Sequence, residues 1–403
     1  MKVMMAHNTH LIPGGEDESF AQESKLLQEH GNDVIPYIRD NKVICNLPLW
    51  KVGLRTLWSV KDYQSARCLI KNEKPDILHV QNTFPLISPA IFYAAHHEGI
   101  PTVLSLRNYR LYCLNSYFFR DGKVCEKCIN QCIPLSGIRY KCYRDSLPGS
   151  VVAASMVMLH RWLGTYQNQV DAFISLTDFA KEKFASHGIP DHKIYVKSNF
   201  VASPPIFSQN RKNFFLYVGR LSPEKGIQVL LNAWKKLGQD VHLKLIGSGP
   251  LENLVKEAVG RHSNIEYLGQ RPVEEVYCLL SQAHALIFPS LWYEGMPRTI
   301  IEAFSQSTPV IASKLGAMET MVEHQITGLH FQPGNSESLA KEICWFLDNQ
   351  HRANIMRKAV EKDFQSKYEA KNNYYQLIEV YKQAHHNFRE LTRTKPILDS
   401  LFK

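Results

Sequence analysis

Two carboxylates in the second half of the chain have a spacing that suits one ligand. Glu294 is followed by a Gly-Met-Pro turn, and Glu302 comes eight positions after it. If the turn starts a helix, Glu302 lies about two turns in, on roughly the same side as Glu294. Backbone N–H groups of residues 295–298 would then point at an anion, helped by the helix dipole. A phosphate site with a carboxylate at each end favours a nucleotide sugar as the ligand.

A strand-like run further upstream ends in a loop that carries two cations. Arg220 follows the run 214–219, and Lys225 comes five positions later. A guanidinium and an ammonium at this spacing can both reach one diphosphate. Fixed cations there would stabilise a leaving phosphate as negative charge grows on it, in place of a metal ion. The alternative is a solvated Arg and Lys on a surface loop.

The length, composition and charge of the chain indicate its domain number and the classes of partner that it can bind. A chain of 403 residues with 44% hydrophobic and 21% charged residues is expected to form two globular domains. The formal net charge of +9 permits an anionic partner, either a nucleotide diphosphate, an anionic lipid headgroup or a nucleic acid. No apolar run approaches the ~20 residues that span a bilayer. The first residues resemble a strand rather than a signal peptide, so we expect a cytoplasmic chain.

Strand-like and helix-like segments alternate through both halves of the chain, which predicts parallel βαβ units. The first alternation runs from residue 2 to residue 197, and the second begins at Phe214. We expect an α/β fold with two doubly wound, Rossmann-like domains, 1–205 and 206–372, on either side of a linker in 199–212. A helix over about 373–403 is expected to return to the first domain. Ligands of such sheets bind outside the carboxyl ends of the strands, so the loops there matter most.

The Glu294–Glu302 pattern resembles the Glu-x7-Glu signature of retaining family 4 glycosyltransferases. Four further segments resemble that family in its order, and they span nearly all of the second half: 214–226, 243–250, 285–290 and 328–334. The resemblance implies the GT-B fold, in which two such domains flank a cleft. It also implies transfer of a hexosyl-type sugar from a UDP-, GDP- or other nucleotide-diphosphate donor. The acceptor would be a glycan or a polyprenyl-linked glycan in surface polysaccharide assembly.

The resemblance also implies a role for each residue of the motifs. The expected catalytic residues are Glu294, beside the transferred sugar, Arg220 and Lys225 at the phosphates, and Arg107. The expected donor-binding residues are Gly14, Gly15, Gly219, Gly295, Met296, Pro297, Arg298 and Glu302, the last on the ribose. For Arg298 a surface role is an equal alternative. The family mechanism is front-face substitution with retention, and no catalytic metal is expected.

Two features of the first half bear on the same site. Gly14 and Gly15 follow the first strand, where paired glycines let backbone approach a ligand, although an ordinary turn explains them too. Arg107 stands where the family usually has a histidine after a strand. An arginine keeps a cationic donor but does not titrate near neutral pH. His79, at the end of another strand, is either a buried structural histidine or a catalytic one.

Five cysteines fall between positions 113 and 142. Cys125 and Cys128 have the two-residue gap typical of a zinc knuckle, with Cys113 and Cys142 on either side. We predict a closed structural zinc site of these four thiols within an insert over about 110–145, as in a cysteine-rich subset of the family. Cys132 is the spare ligand, and free or redox-active thiols are the alternative. The other four, Cys45, Cys68, Cys278 and Cys344, are expected in the core.

The segment 49–58 places aromatic and aliphatic residues at helical spacing beside two cations. Trp50, Leu54, Leu57 and Trp58 form the apolar set, with Lys51 and Arg55 to one side. Such a helix suits a membrane surface, here the inner face of the plasma membrane, where a lipid-linked acceptor lies. A helix packed on its own domain has the same pattern. By contrast, residues 150–163 are expected in the core.

Two other functions are consistent with the same features. One is another GT-B enzyme on a nucleotide sugar, such as an epimerase or a hydrolase. The other is a zinc-containing basic module that binds nucleic acid, with steeply salt-dependent affinity. The glutamate pair and the Arg220/Lys225 pair argue against the module, because nucleic-acid binding needs neither. We therefore expect no nucleic-acid partner.

Overall fold

The computed structural model describes residues 1–9, 11, 14–201 and 211–401, with side chains described up to residue 392. The predicted linker at 199–212 lies largely outside the described residues, and so does the predicted boundary at 205. The chain divides into two compact units, which we describe separately. Unit 1 comprises Met1–Tyr117, Glu126–Lys197 and Tyr374–Lys403, and unit 2 comprises Phe118–Cys125 and Ser198–Asn373.

Strands and helices alternate from the N-terminus to Lys197. In chain order they are β1 (Lys2–Thr9), α1 (Gly15–Glu29), β2 (Asp33–Asp40), α2 (Leu49–Leu57), α3 (Val60–Glu73), β3 (Ile77–Val80), α4 (Ala90–His97), β4 (Thr102–Leu106), β5 (Phe119–Arg120), β6 (Lys123–Val124), α5 (Leu135–Arg139), α6 (Leu147–Trp162), α7 (Thr165–Asn168), β7 (Ala172–Ser175), α8 (Asp178–Ala185) and β8 (Ile194–Val196). The short β5 and β6 form an antiparallel hairpin.

A second alternation follows. Its elements are β9 (Phe215–Val218), α9 (Ile227–Trp234), β10 (Leu243–Ile246), α10 (Glu252–Arg261), β11 (Ile265–Gly269), α11 (Val273–Gln282), β12 (Leu286–Phe288), α12 (Arg298–Ser305), β13 (Val310–Ser313), α13 (Ala317–Met321), β14 (Gly328–Phe331), α14 (Ser336–Asp348), α15 (Gln350–Lys367) and α16 (Ala370–Leu401). From Tyr374 onward, α16 groups with unit 1.

Each alternation builds one parallel sheet of six strands. The order is β2-β1-β3-β4-β7-β8 in unit 1 and β11-β10-β9-β12-β13-β14 in unit 2. The strands β3, β4 and β7 are buried throughout, as expected for parallel strands that helices cover on both faces. Side chains of α16, including Leu377 and Tyr381, pack with Val3 and Met5 of β1 in the unit 1 core. The α/β prediction is therefore confirmed.

None of the helices that the structure describes combines the length and the apolar run that crossing a membrane requires. The stretch expected in the core, residues 150–163, falls mainly on α6. Its Ala153, Ala154, Met156 and Val157 form a buried cluster with Leu114.

A buried carboxylate on α1 joins the ends of three strands in unit 1. Glu23 accepts from the Lys197 ammonium after β8 at 2.6 Å and lies 3.2 Å from the Arg107 guanidinium after β4. The Gln81 amide after β3 donates to the same carboxylate at 2.5 Å. Burial alone would raise the pKa of Glu23, but the Lys197 and Arg107 cations hold it well below its ordinary value. The carboxylate is therefore ionised in the folded state.

His79 belongs to this network as a structural residue. Its ring is fully buried, 2.9 Å from the Tyr381 hydroxyl and 2.9 Å from the Ser105 hydroxyl. Burial lowers the pKa of His79 to about 4, so the ring is neutral at pH 7. This geometry favours the structural alternative for His79.

We predict that Glu23→Gln lowers the free energy of unfolding by about 3–5 kcal/mol, because Lys197 and Arg107 lose a buried counter-ion. The depressed pKa means that the wild type holds this stability above about pH 4.5 and loses it as the pH falls further. Urea unfolding followed by circular dichroism from pH 7 to pH 3 measures both effects. Glu29→Gln, on the same helix with a side chain 57% exposed, is the control. Equal losses for the two variants would contradict the assignment.

Candidate active site

The strand order of unit 2 reverses between β9 and β12. Chain order runs outward from β9 through β10 to β11 in one direction, and from β12 through β13 to β14 in the other. Loops after strands on either side of such a reversal diverge and leave a crevice at the carboxyl edge of the sheet. The loop after β9 carries Gly219, Arg220 and Lys225, and the loop after β12 carries Glu294. The topology therefore places both sequence motifs at one edge.

Glu294 is the centre of this arrangement. Its carboxylate Oε1 accepts from the Lys225 ammonium at 2.7 Å, the Ser290 hydroxyl at 2.5 Å and the Trp292 indole N–H at 2.8 Å. The residue is 5% exposed. No donor within the described residues bonds Oε2, so this oxygen is available to a ligand hydroxyl. A buried carboxylate fixed by three donors has one orientation and needs no rearrangement to accept from a ligand.

Lys225 is held between this carboxylate and two aromatic rings. Its ammonium lies 5.6 Å from the Phe288 ring centroid and 5.5 Å from that of Trp292, and its side chain is 22% exposed. An ammonium has three donors, and the contact with Glu294 uses one of them. The Arg220 side chain is exposed in the same loop. Two cations are thus present, of which one is fixed by contacts.

Hydrogen bonds and close backbone packing fix the course of the β9 loop. The buried Tyr217 hydroxyl donates to the Arg220 carbonyl at 2.8 Å. Burial raises the pKa of Tyr217, and the Glu294 and Glu224 carboxylates add to this, so the phenol stays protonated. Gly226 has a φ of +74°, and a Cβ there would lie 1.9 Å from the Pro289 carbonyl oxygen. Gly226 therefore allows the loops after β9 and β12 to touch.

The helix after Glu294 begins later than the sequence suggested. Pro297 is the N-cap, and α12 starts at Arg298, which places Glu302 just over one turn in rather than two. The reason is that Glu294–Met296 continue the irregular loop after β12, where the Glu294 N–H bonds the Trp292 carbonyl. Arg298 and Glu302 lie four residues apart on α12, with 4.0 Å between guanidinium and carboxylate. Both are partly buried.

The predicted residues of the first half lie in unit 1. Gly14 is the exposed N-cap of α1, and its N–H donates to the Asp17 carboxylate at 3.0 Å. Gly15 is the first residue of that helix. Arg107 is 8% exposed and donates through Nε to the Gln81 amide oxygen at 2.7 Å, besides its contact with Glu23. Arg107 therefore has a structural partner that its place in the sequence did not reveal.

The described residues do not support the predicted zinc site. Within the described residues, no three His, Cys, Asp or Glu side chains gather closely enough to hold a metal ion. The buried Cys113 thiol donates to the Asn115 amide oxygen of its own turn, at 2.9 Å. Cys113, Cys125, Cys128 and Cys142 form no disulfide bond in the structure as described.

The core assignment of the remaining cysteines was wrong. Cys45, Cys68 and Cys344 are exposed and Cys278 is partly buried. Apolar neighbours in the sequence do not show whether a residue lies on the buried or the exposed face of a helix. Cys68 and Cys344 lie on the exposed faces of α3 and α14.

Sequence reasoning missed the residues that orient Glu294. Ser290 and Trp292 donate to the Glu294 carboxylate because the loop after β12 brings them to it. In the sequence, only their position directly after a buried strand could have indicated this role. It also missed Phe118, which is 1% exposed and packs edge-on against Tyr293, with ring centroids 6.1 Å apart. Phe118 belongs to the short segment that groups with unit 2.

Comparison with solved structures defines the class of fold. Anabaena Alr3699/HepE, crystallised in complex with UDP, superposes with a TM-score of 0.66 over 95% of this chain and 100% of its own, at 17% identity. The two parallel six-stranded sheets and this similarity define a GT-B fold.

Family models then identify the chain more closely. The model of Glycosyltransferase Family 4 matches residues 7–202, and the model of glycosyl transferases group 1 matches residues 202–363. The chain therefore belongs to the family 4 glycosyltransferases.

Individual relatives match over shorter stretches. An uncharacterized glycosyltransferase of Methanocaldococcus jannaschii, MJ1178, is 30% identical over 154 residues, which are 38% of this chain and 43% of the relative. The D-rhamnosyltransferase WbpZ of Pseudomonas aeruginosa is 28% identical over 161 residues, 39% of this chain and 42% of the relative. The chain thus spans less than half the length of these curated relatives.

We predict that Gly226→Ala lowers the free energy of unfolding of unit 2 by about 2 kcal/mol or more, because a Cβ at this positive φ meets the Pro289 carbonyl. Gly260→Ala, in helix α10 with nothing within 4 Å of the new Cβ, should leave stability unchanged or raise it by about 0.5–1 kcal/mol. Urea unfolding of both variants measures the difference. A Gly226→Ala variant as stable as Gly260→Ala would show that the two loops do not touch as described.

Proposed function

We propose that this chain is a retaining glycosyltransferase that moves a hexosyl-type sugar from a nucleotide-diphosphate donor to a glycan or lipid-linked acceptor. The observation that carries the proposal is the contact of the Lys225 ammonium with the buried Glu294 carboxylate at the strand reversal of unit 2. Relatives that include a D-rhamnosyltransferase and an O-antigen chain mannosyltransferase support a role in surface polysaccharide biosynthesis.

The cations would bind and activate the diphosphate of the donor. Lys225 has two donors left after its contact with Glu294, and the exposed Arg220 adds a guanidinium from the same loop. The backbone N–H groups of Arg298 and the following residues contribute the positive end of α12, and those of Gly295 and Met296 belong to the loop that leads into it. As the glycosidic bond breaks, these groups stabilise the growing charge on the leaving diphosphate. We therefore expect activity without a divalent metal ion.

The carboxylates would orient the rest of the donor. The open Oε2 of Glu294 can accept from a sugar hydroxyl, while Oε1 stays on its three protein donors. Glu302, one turn along α12, is assigned to the ribose hydroxyls, with Arg298 beside it. In the retaining reaction of this family the acceptor attacks the face that the leaving group departs from. The leaving phosphate takes the acceptor proton, so no separate general base is needed.

A transfer assay with product analysis tests the proposal against its rivals. Purified protein is incubated with UDP-, GDP- and TDP-sugars, with EDTA, and with a membrane glycolipid extract as the acceptor source. The proposal predicts a sugar joined to an acceptor with the donor's anomeric configuration kept. Free sugar or isomerised donor, formed without any acceptor, would show a hydrolase or an epimerase instead.

We predict that Glu294→Gln lowers the rate of transfer by about 10²–10³-fold, because the amide keeps the shape of the site but loses the negative charge beside the sugar. The measurement is the initial rate at saturating donor, with the unfolding midpoint determined in parallel. Glu337→Gln, in the same unit with a side chain 77% exposed, serves as the control and should retain full activity. A Glu294→Gln variant with more than a few per cent of the wild-type rate would refute the role of Glu294.

We predict that Lys225→Met weakens binding of the nucleoside diphosphate by about 10–100-fold and binding of the free nucleoside much less, because only the diphosphate contacts the ammonium. Isothermal titration calorimetry of both ligands gives the two ratios. Lys235→Met, at the exposed end of α9, is the matched control. Equal losses for both ligands would mean that Lys225 does not lie at the phosphates.

A further inference from the structure

The loop that carries Glu294 contains a tight turn with Tyr293 at its centre. The Glu294 N–H donates to the Trp292 carbonyl at 3.0 Å, which is the hydrogen bond of a three-residue turn. Across the same turn the Trp292 indole N–H donates to the Glu294 carboxylate at 2.8 Å. The backbone conformation of Tyr293 therefore sets where the carboxylate lies relative to the indole that orients it.

The ring of Tyr293 packs against a residue from a distant part of the chain. Phe118 is 1% exposed and meets Tyr293 edge-on, with ring centroids 6.1 Å apart and an interplanar angle of 77°. Aromatic pairs in this arrangement attract each other beyond the area that they bury. A Tyr293 ring that is held in this way restricts the turn to which it is attached.

Phe118 adopts a backbone conformation that bulky residues rarely take. Its φ is +49°, in the left-handed region. The short hairpin of β5 and β6 holds it there, since the Cys125 N–H donates to the Phe118 carbonyl at 2.7 Å and Phe119 pairs with Val124. Strained residues that the surrounding structure keeps in place are concentrated at functional sites. The hairpin therefore fixes the residue that packs on Tyr293.

A second contact holds the loop on the other side of Glu294. Met296 is 9% exposed, and its sulfur accepts from the Asn199 N–H at 3.1 Å. The residue before Asn199 is itself fixed, because the Ser198 carbonyl accepts from the Asn373 amide at 2.6 Å. A thioether is a weak acceptor, but this bond is buried, so water does not compete for it. The loop thus has one anchor directly before Glu294 and another shortly after it.

Both anchors lie where the chain joins unit 2. This unit consists of two stretches, residues 118–125 and residues 198–373. Phe118 is the first residue of one stretch, and Asn199 is the second residue of the other. The position of the Glu294 loop therefore depends on residues that are distant from it in the sequence.

We propose that Phe118 and Met296 are positioning residues that hold the turn at Tyr293 from both sides and so set where the Glu294 carboxylate meets the donor sugar. The two side chains act through the backbone of residues 293–296 and not on the donor itself. This inference rests on the proposed function. It adds the requirement that the hairpin from the first half of the chain is needed for the chemistry of the second half. A purely structural role for the same contacts would affect stability alone.

The first test compares Phe118→Leu with Phe346→Leu. Phe346 is also buried, at 0% exposure in the core of unit 2, with its ring centroid 6.0 Å from that of Phe215. Phe118→Leu should lower kcat about tenfold or more, because a shift of about 1 Å at a catalytic group can lower a rate by about a hundredfold. Phe346→Leu should leave kcat unchanged at a temperature where both variants are folded. Equal kcat values for the two variants would overturn the proposal.

Nucleotide binding separates the effect on Glu294 from a general disturbance of the site. Lys225 lies in the β9 loop, whose course depends on contacts of Tyr217 and Gly226. The dissociation constant of the nucleoside diphosphate, measured by calorimetry, should therefore change less than about threefold in Phe118→Leu, while kcat falls. A loss of nucleotide affinity as large as the loss of kcat would overturn the positioning role.

A double-mutant cycle tests whether Phe118 and Met296 act on the same turn. Met296→Leu keeps nearly the same volume but removes the sulfur acceptor, and it should lower kcat about threefold or more. Met356→Leu, at a methionine that is 1% exposed in the core of unit 2, should leave kcat unchanged. Because both anchors act on one loop, the double variant Phe118→Leu/Met296→Leu should lose less than the product of the single losses. Losses that multiply would show independent sites and overturn the shared role.

Fluorescence of Trp292 reports on the turn without any assay of transfer. The difference between each protein and the same protein carrying Trp292→Phe isolates this indole among the six tryptophans. Phe118→Leu should increase quenching of the Trp292 signal by acrylamide, because the indole loses its fixed partner, and Phe346→Leu should not. An unchanged Trp292 signal in Phe118→Leu, together with sugar transfer by the wild type, would overturn this inference alone. A changed signal in a protein that transfers no sugar would uphold the role of Phe118 in the turn and contradict the proposed function.

Discussion

The contact between Lys225 and Glu294 is the interaction on which the account of unit 2 depends. It joins the loops after β9 and β12, the two strands at which the sheet order reverses. The Ser290 and Trp292 donors converge on the same carboxylate oxygen, and Gly226 lets the two backbones meet. One cation and one carboxylate are thereby fixed before any ligand arrives. Preorganisation of this kind is what charge stabilisation in a transition state requires.

Unit 1 also has a buried carboxylate paired with cations at the carboxyl edge of its sheet. Glu23 gathers the residues that follow β3, β4 and β8, so the carboxyl edge of that sheet is also organised by one buried carboxylate. There the cations outnumber the carboxylate, since Lys197 and Arg107 both face Glu23.

The sequence predicted the α/β alternation, the family and the location of the motifs, because these depend on local periodicity and on residues close together in the chain. It could not predict contacts between distant residues. Arg107 and Glu23 are 84 positions apart, and nothing near Arg107 in the sequence indicates a buried partner. The cysteine spacing of a zinc knuckle is limited for a related reason: spacing along a chain does not by itself bring thiols to one point, and the described residues show no metal site. Helix α2 was ambiguous because periodicity alone does not tell which face is covered.

The most direct test of the account is thermal unfolding of the wild-type protein with UDP, GDP, ADP and TDP, each alone and with EDTA present. A ligand at 100 times its dissociation constant stabilises the unit that binds it by about 2.7 kcal/mol, which shifts the midpoint measurably. The account predicts a shift with at least one nucleoside diphosphate in the absence of metal, and a much smaller shift with the matching nucleoside. No shift with any of the four would contradict the assignment of Lys225 and Glu294 to a nucleotide-sugar site.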